Sequence, residues 1–248
     1  MRPLLNPSFK LLGLLWVLTF FGALTLAAEP TLILGTPLSP PLSTVRQDGA
    51  IDLIVKEAFK RIGREVTYQI LPGQRSLLNA VQGIDDGDLF RVKGIEDYFP
   101  NIVRVPEKLL DFEFVAFTNV PEINPQGFEE INVYSVGMVN GWKILERATE
   151  TAQERILVES SLQLMNLLRK GRIEIALYER YEGLAVVHQL RPNDIRVIEP
   201  PLIVKEGFFY LNKKHQALVL PLARALREMK ADGSFQQLWE QGLRNGLK

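Results

Sequence analysis

The sequence predicts an α/β protein built from two similar blocks. Three observations carry this. Short apolar runs of strand length alternate with stretches of helical period. The alternation occurs once before about residue 118 and again after about residue 133. Proline-containing segments near 120 and 201 separate the blocks. Strands that alternate with helices in this way build largely parallel sheets covered by helices.

In the first block, 31–35 is a short buried strand that runs into Pro37, Pro40 and Pro41, where regular structure stops. Residues 51–62 place Ile51, Ile54, Val55, Ala58, Phe59 and Ile62 at helical spacing, with Gly63 as the stop. A strand follows at 66–71, a short helix at 76–81, a turn at 85–88 and strands at 89–92 and 114–118. In the second block, 133–138 is a strand and Gly141-Trp142 opens a helix. Residues 156–158 are a strand, and Ser160 caps a helix that Gly171 ends. Strand 173–177, helix 183–190 and strands 195–198 and 207–211 come next. Helices at 216–229 and 234–243 close the chain.

The first 28 residues have a different character. Arg2 and Lys10 are the only charges before Glu29, and 11–28 is apolar and ends in Ala27-Ala28. A basic start, an apolar centre and small residues before a polar segment are the layout of a secretory leader, with cleavage expected near Ala28. The other reading of this stretch is a retained membrane anchor. The expected location is the periplasm. There is no cysteine, so disulfides, thiolate metal sites and a lipidated N-terminal cysteine are excluded. The 29 basic and 29 acidic residues balance, and no basic cluster points to nucleic acid. About 220 residues outside the leader suffice for two small lobes with their own cores.

The sequence resembles family 3 of the extracellular solute-binding proteins, which includes the amino-acid receptors of ABC transporters. The likeness runs over about 30–245. It is carried by Gly35-Thr36 followed by Pro40-Pro41, by Arg61-Ile62-Gly63, and by Gly87-Asp88. It continues through Val136-Gly137 with Gly141, Leu167-Leu168 with Gly171-Arg172-Ile173, and the run from Tyr210 to Trp239. Leu42 stands where the family usually has an aromatic residue. Residues 91–106 replace its usual Thr/Ser-rich segment and carboxylate-gripping arginine, and this marks a divergent branch. The resemblance implies a two-lobed periplasmic-binding-protein-like fold of type II. Lobe 1 would be 29–118 plus 205–248, and lobe 2 would be 119–204. Two hinge strands would join them, and hinge closure would trap a small solute. A monomer is expected, with an ABC permease or a membrane sensor as partner.

Candidate ligand-binding residues lie at the strand ends and turns facing the expected cleft. Arg91 is either a fork for a ligand carboxylate or the partner of Asp86 or Asp88. Arg75, opening a helix after Pro72-Gly73, is a second anion candidate, and Asp88 joins the set as an acidic group at the same edge. Asn140, Gly141 and Trp142 form a strand-to-helix turn whose N–H groups suit an anion, and the indole suits stacking. Tyr178 and Glu179 follow strand 173–177, where Glu179 either accepts from an ammonium group or pairs with Arg180. Ser39 offers a hydrogen bond from the first loop. His188 and His215 are the only histidines and lie far apart, so no metal and no cofactor are expected. No nucleophile elbow, phosphate loop or zinc-hydrolase motif occurs, so the expected protein is not an enzyme. The alternatives are a lyase on the same scaffold, of the cyclohexadienyl dehydratase kind, and a stand-alone extracytoplasmic sensor module.

Overall fold

The computed structural model describes residues 29–191 and 194–248. The leader expected at 1–28 lies outside the described residues. No described helix is long and apolar enough to cross a membrane.

Strands β1 (Leu32–Thr36), β2 (Val66–Ile70) and β3 (Gly87–Val92) form a parallel set with β1 in the middle. Helix α1 (Ala50–Arg61) connects β1 to β2, and α2 (Gly73–Gln82) connects β2 to β3. Strands β6 (Ser135–Val139), β7 (Glu154–Val158) and β8 (Ile175–Glu179) form a second parallel set with β6 in the middle. Here α4 (Lys143–Ala148) and α5 (Ser161–Arg169) are the crossovers. The short β4 (Ile102–Arg104) pairs with β9, and a single turn of helix, α3 (Phe128–Ile131), precedes β6.

Two long antiparallel strands link the sets. β5 (Leu110–Thr118) pairs with β8, and β9 (Arg196–Asn212) pairs with β3, β4 and β5. The sheet path is β2-β1-β3-β9-β5-β8-β6-β7. The sequence predicts two strands, 195–198 and 207–211, with a break between them. The structure has one 17-residue strand. Its pairing with β5 jumps from Ala116↔Ile198 to Phe114↔Ile203, so residues 199–202 are looped out of register. Pro200 and Pro201 fall in that loop, where their missing N–H groups cost no ladder bond. The prolines therefore interrupt the register and leave the strand continuous.

Helix α1 buries Ile51, Ile54, Val55, Ala58 and Phe59 as its period predicts. It ends in a Schellman motif: Gly63, at φ +69°, donates to Lys60 O and Arg64 donates to Phe59 O. Helix α5 repeats the device at the matching place in the second set. Gly171, at φ +62°, donates to Leu168 O, and Arg172 donates to Leu167 O. The Ser160 hydroxyl accepts from Gln163 N at the start of α5, as a cap should. Helix α6 (Arg180–Leu190) follows β8 directly, so Tyr178 and Glu179, expected beyond the strand, are its last residues.

After β9 and a 3-10 turn (213–218), the chain ends in α7 (Val219–Ala231) and α8 (Ser234–Gly246). Both pack on α1, beside the first parallel set. Gly242 allows the closest approach: a Cβ there would lie 2.3 Å from Ala50 Cα and N.

Candidate functional site

Three segments meet where the two parallel sets face each other: the loop after β1, the turn after β6, and the β8–α6 junction. Each lies at the carboxyl end of a parallel strand, where sheets of this class present their ligand-binding groups.

The β8–α6 junction is the most unusual chemically. Glu179 and Glu182 are both buried. Glu179 caps α6, and its Oε2 accepts from Glu182 N at 2.8 Å. A glutamate at the third helical position usually reaches back to the cap residue. Glu182 instead reaches out of its helix, and its Oε1 accepts from Ser39 N at 2.7 Å, 143 residues away in sequence. Each carboxylate thus spends one oxygen on the fold. The other two, Glu179 Oε1 and Glu182 Oε2, are buried without a hydrogen-bond partner among the described residues. Burial raises the pKa of both carboxyls, and for Glu179 the adjacent Glu182 raises it further. Tyr178, at the end of β8, faces Glu182, and its pKa is raised by burial and then by that carboxyl.

Trp142 begins α4 and sits in an aromatic cluster. It stacks on Phe112 with centroids 5.6 Å apart, and meets Phe114 at 5.2 Å and Tyr178 at 6.1 Å edge to face. Phe112 and Phe114 belong to the linking strand β5. The indole therefore bridges the second parallel set and the strand that leads to the first. Tyr181 of α6 makes a similar bridge to Trp239 of α8, with centroids 5.1 Å apart.

The remaining predicted residues are engaged differently. Asp88 is wholly buried and takes Arg91 Nη2 at 2.6 Å, Ser76 Oγ at 2.9 Å and Phe90 N at 3.2 Å. Burial raises its pKa, and Arg91 offsets part of that. Arg91 also donates to Gly73 O at 2.6 Å, so its charge is balanced within the fold by one of the two acids that the sequence offers it. Gly141 N, the donor read as an anion site, already accommodates Glu146 Oε1 at 2.7 Å, and Asn140 N donates to Val158 O. Lys143 and the Gly141 N–H hold the Glu146 pKa below its usual range. Arg75 lies exposed on α2, with no ion pair among the described residues. Of the predicted set, the structure gathers Ser39, Tyr178 and Glu179 around one carboxylate pair, with Trp142 against Tyr178. The second of the two readings of Glu179, a salt bridge with Arg180, is not what forms: Arg180 pairs with Glu113 of β5 and, at 2.6 Å, with Glu199 of β9.

Sequence reasoning missed Glu182. The available signal is the spacing Glu179-x-x-Glu182 at a strand-to-helix junction, which is the pattern of a helix start.

A groove of about 570 Å³ opens beside this pair, lined by Ser39, Ser161, Glu182, His188, Gln189 and Arg191 among others. The described residues contain no cluster of three His, Asp or Glu side chains fit for a metal ion.

No family model matches the chain. An uncharacterized protein of Shewanella oneidensis is 25% identical over 199 residues, which span 77% of this chain and 74% of that one. Among solved structures, the GluR0 ligand-binding core in complex with L-glutamate superposes with a TM-score of 0.75 at 12% identity, over 87% of this chain and 99% of its own. A histidine kinase sensor domain with similarity to periplasmic binding proteins gives 0.73 at 13%, over 87% and 97%. An ancestral arginine-binding protein bound to arginine gives 0.72 at 16%, over 86% and 98%. The chain therefore has the two-lobed fold of the periplasmic binding proteins.

Proposed function

We propose that this protein is an extracytoplasmic solute-binding protein of the family-3 type. It captures a small polar solute between two α/β lobes and closes on it by bending β5 and β9. Lobe 1 is 29–118 plus 205–248, and lobe 2 is 119–204. The observation that carries the proposal is the Ser39 N–H to Glu182 contact. A loop of one lobe and a helix start of the other meet at buried polar groups, beside oxygens that the fold leaves unused. A ligand completes such a site, and a purely structural junction has no use for those spare acceptors.

The similar structures support the reading by what they hold. One binds L-glutamate and another arginine. A third belongs to a histidine kinase, which favours sensing as a second outlet beside transport through a permease. Segment 1–28 serves as a leader removed near Ala28. Mass spectrometry of the protein recovered from cells tests that cleavage.

The functional test is a thermal-shift screen of the mature chain against amino acids, small amines and organic acids. A compound held at a hundredfold above its Kd raises stability by about 2.7 kcal/mol, a shift of several degrees. A true ligand also reduces the radius of gyration in solution scattering. A shift without compaction contradicts hinge closure.

A further inference from the structure

A second site lies away from the carboxylate pair and stands whether or not the cleft holds a solute. We propose that an open groove between α4 and β9 binds an aliphatic carboxylic acid. Its head group rests on Arg147 and Lys205, and its chain covers Phe128, Ile144, Leu202 and Ile203.

The groove has a volume of about 680 Å³, within the range of small-molecule sites. It shares no lining residue with the groove beside Glu182. Its apolar floor follows from the register jump in β9. Residues 199–202 are looped out, and the chain re-enters the ladder at Ile203. A strand with one buried face alternates apolar and polar residues. Here Leu202, Ile203 and Val204 are consecutive, none of them is buried, and Val204 is half exposed. Phe128 of α3 and Ile144 of α4 reach the same place. These two side chains, with Leu202 and Ile203, pack against the core on one side and stay partly accessible on the other. A grouped, accessible apolar surface of this kind marks a place where something apolar docks.

Charge decides what docks there. Arg147 in the last turn of α4 and Lys205 of β9 are exposed, and neither makes an ion pair among the described residues. The nearest acids along the same elements have other partners. Glu146 takes Lys143 and the Gly141 N–H, Glu206 takes Lys93, and Glu113 of the paired strand takes Arg180. No acidic side chain lines the groove. A guanidinium and an ammonium beside an apolar floor complement a carboxylate that carries an aliphatic tail, and the planar fork of Arg147 suits both carboxylate oxygens. A bilayer of anionic lipid is a poorer fit. Glu129 and Glu130 on α3 and Glu150 just beyond α4 are exposed around the groove, and they repel a broad negative surface while leaving room for a single acid.

The experiment is calorimetry on the mature protein with decanoate, hexanoate and decyltrimethylammonium, each below its micelle concentration, with methyl NMR of Ile144 and Ile203. The expected result is binding of decanoate, tighter than hexanoate by up to about fourfold per added methylene. Both isoleucine methyl signals should shift, and the cation should not bind. Arg147→Glu/Lys205→Glu should weaken decanoate about tenfold or more, the loss of a charge-assisted pairing, and should admit the cation. If that double variant does not fold, Arg147→Gln on the exposed face of α4 replaces it and should weaken decanoate in the same direction. Equal decanoate binding in a folded variant, methyl shifts confined to residues outside the groove, or no decanoate binding at all overturns the proposal. Association with phosphatidylglycerol vesicles without decanoate binding overturns it in favour of a membrane surface. None of these outcomes bears on the cleft, whose solute is read in the thermal-shift screen.

Discussion

At the scale of residues, the buried acids divide by how fully they are satisfied. Asp88 has an arginine, a hydroxyl and an amide. Asp52, at the start of α1, accepts from Ser43 Oγ, Thr44 N and Gly49 N, which ties the 43–49 loop to that helix. Both serve the fold. Asp88→Ala should cost about 3–5 kcal/mol in urea unfolding, because Arg91 is left partly buried without its partner. Glu179 and Glu182 are half satisfied, and that sets their behaviour with pH. Their folded pKa values lie above the unfolded value of about 4.3, so their favourable contribution is complete below that pH and is lost as pH rises through the folded values. The double variant Glu179→Gln/Glu182→Gln should therefore lose less stability than wild type between pH 5 and 8, read as the urea midpoint at each pH. An identical slope in the two proteins would show that the pair is ionised without penalty. Glu179 was legible in the sequence because it ends an apolar strand. Glu182 was not, because its role depends on Ser39, a contact that only the tertiary fold creates.

At the scale of elements, local chemistry accounts for most of what the sequence showed. The α1 period, the Ser160 cap and the glycine stops at 63 and 171 are each fixed by a few neighbouring residues, and each stands where predicted. Ser160→Ala should cost about 1 kcal/mol in thermal or urea unfolding. Gly242→Ala should cost about 1–3 kcal/mol, because the added carbon meets the backbone of Ala50 and forces α8 off α1. What the sequence hid was β9. Two adjacent prolines are the strongest local signal for a break, yet the strand passes through them by looping four residues out of register. The pairing of β5 along both faces of that loop outweighs the local preference, and no pattern within 196–212 reveals the partner.

At the scale of the whole molecule, the central feature is that β5 and β9 link the two parallel sets, β9 pairing with β3 of the first, β5 with β8 of the second, and each with the other. Each set has its own crossovers and buried helix faces, while the linking strands supply the sheet's middle. Arg180 sits at that middle, joining the start of α6 to Glu113 on one linking strand and Glu199 on the other. A cluster placed there resists bending, so Arg180→Gln should widen the range of lobe separations without unfolding either set. Solution scattering of the unliganded protein checks this: a larger radius of gyration than wild type is expected.

The chain has no cysteine, so a pair of spin labels can be placed without background. Gln74 on α2 and Arg147 on α4 are exposed, one on each side of the linking strands. Lobe closure is tested by the distance distribution between labels at Gln74→Cys and Arg147→Cys, measured by double electron–electron resonance with and without a ligand found in the screen. Two lobes that close on a solute give a broad distribution in the free protein that narrows and shortens on binding. A tight distribution that does not change at saturating ligand would contradict closure of two lobes on a solute.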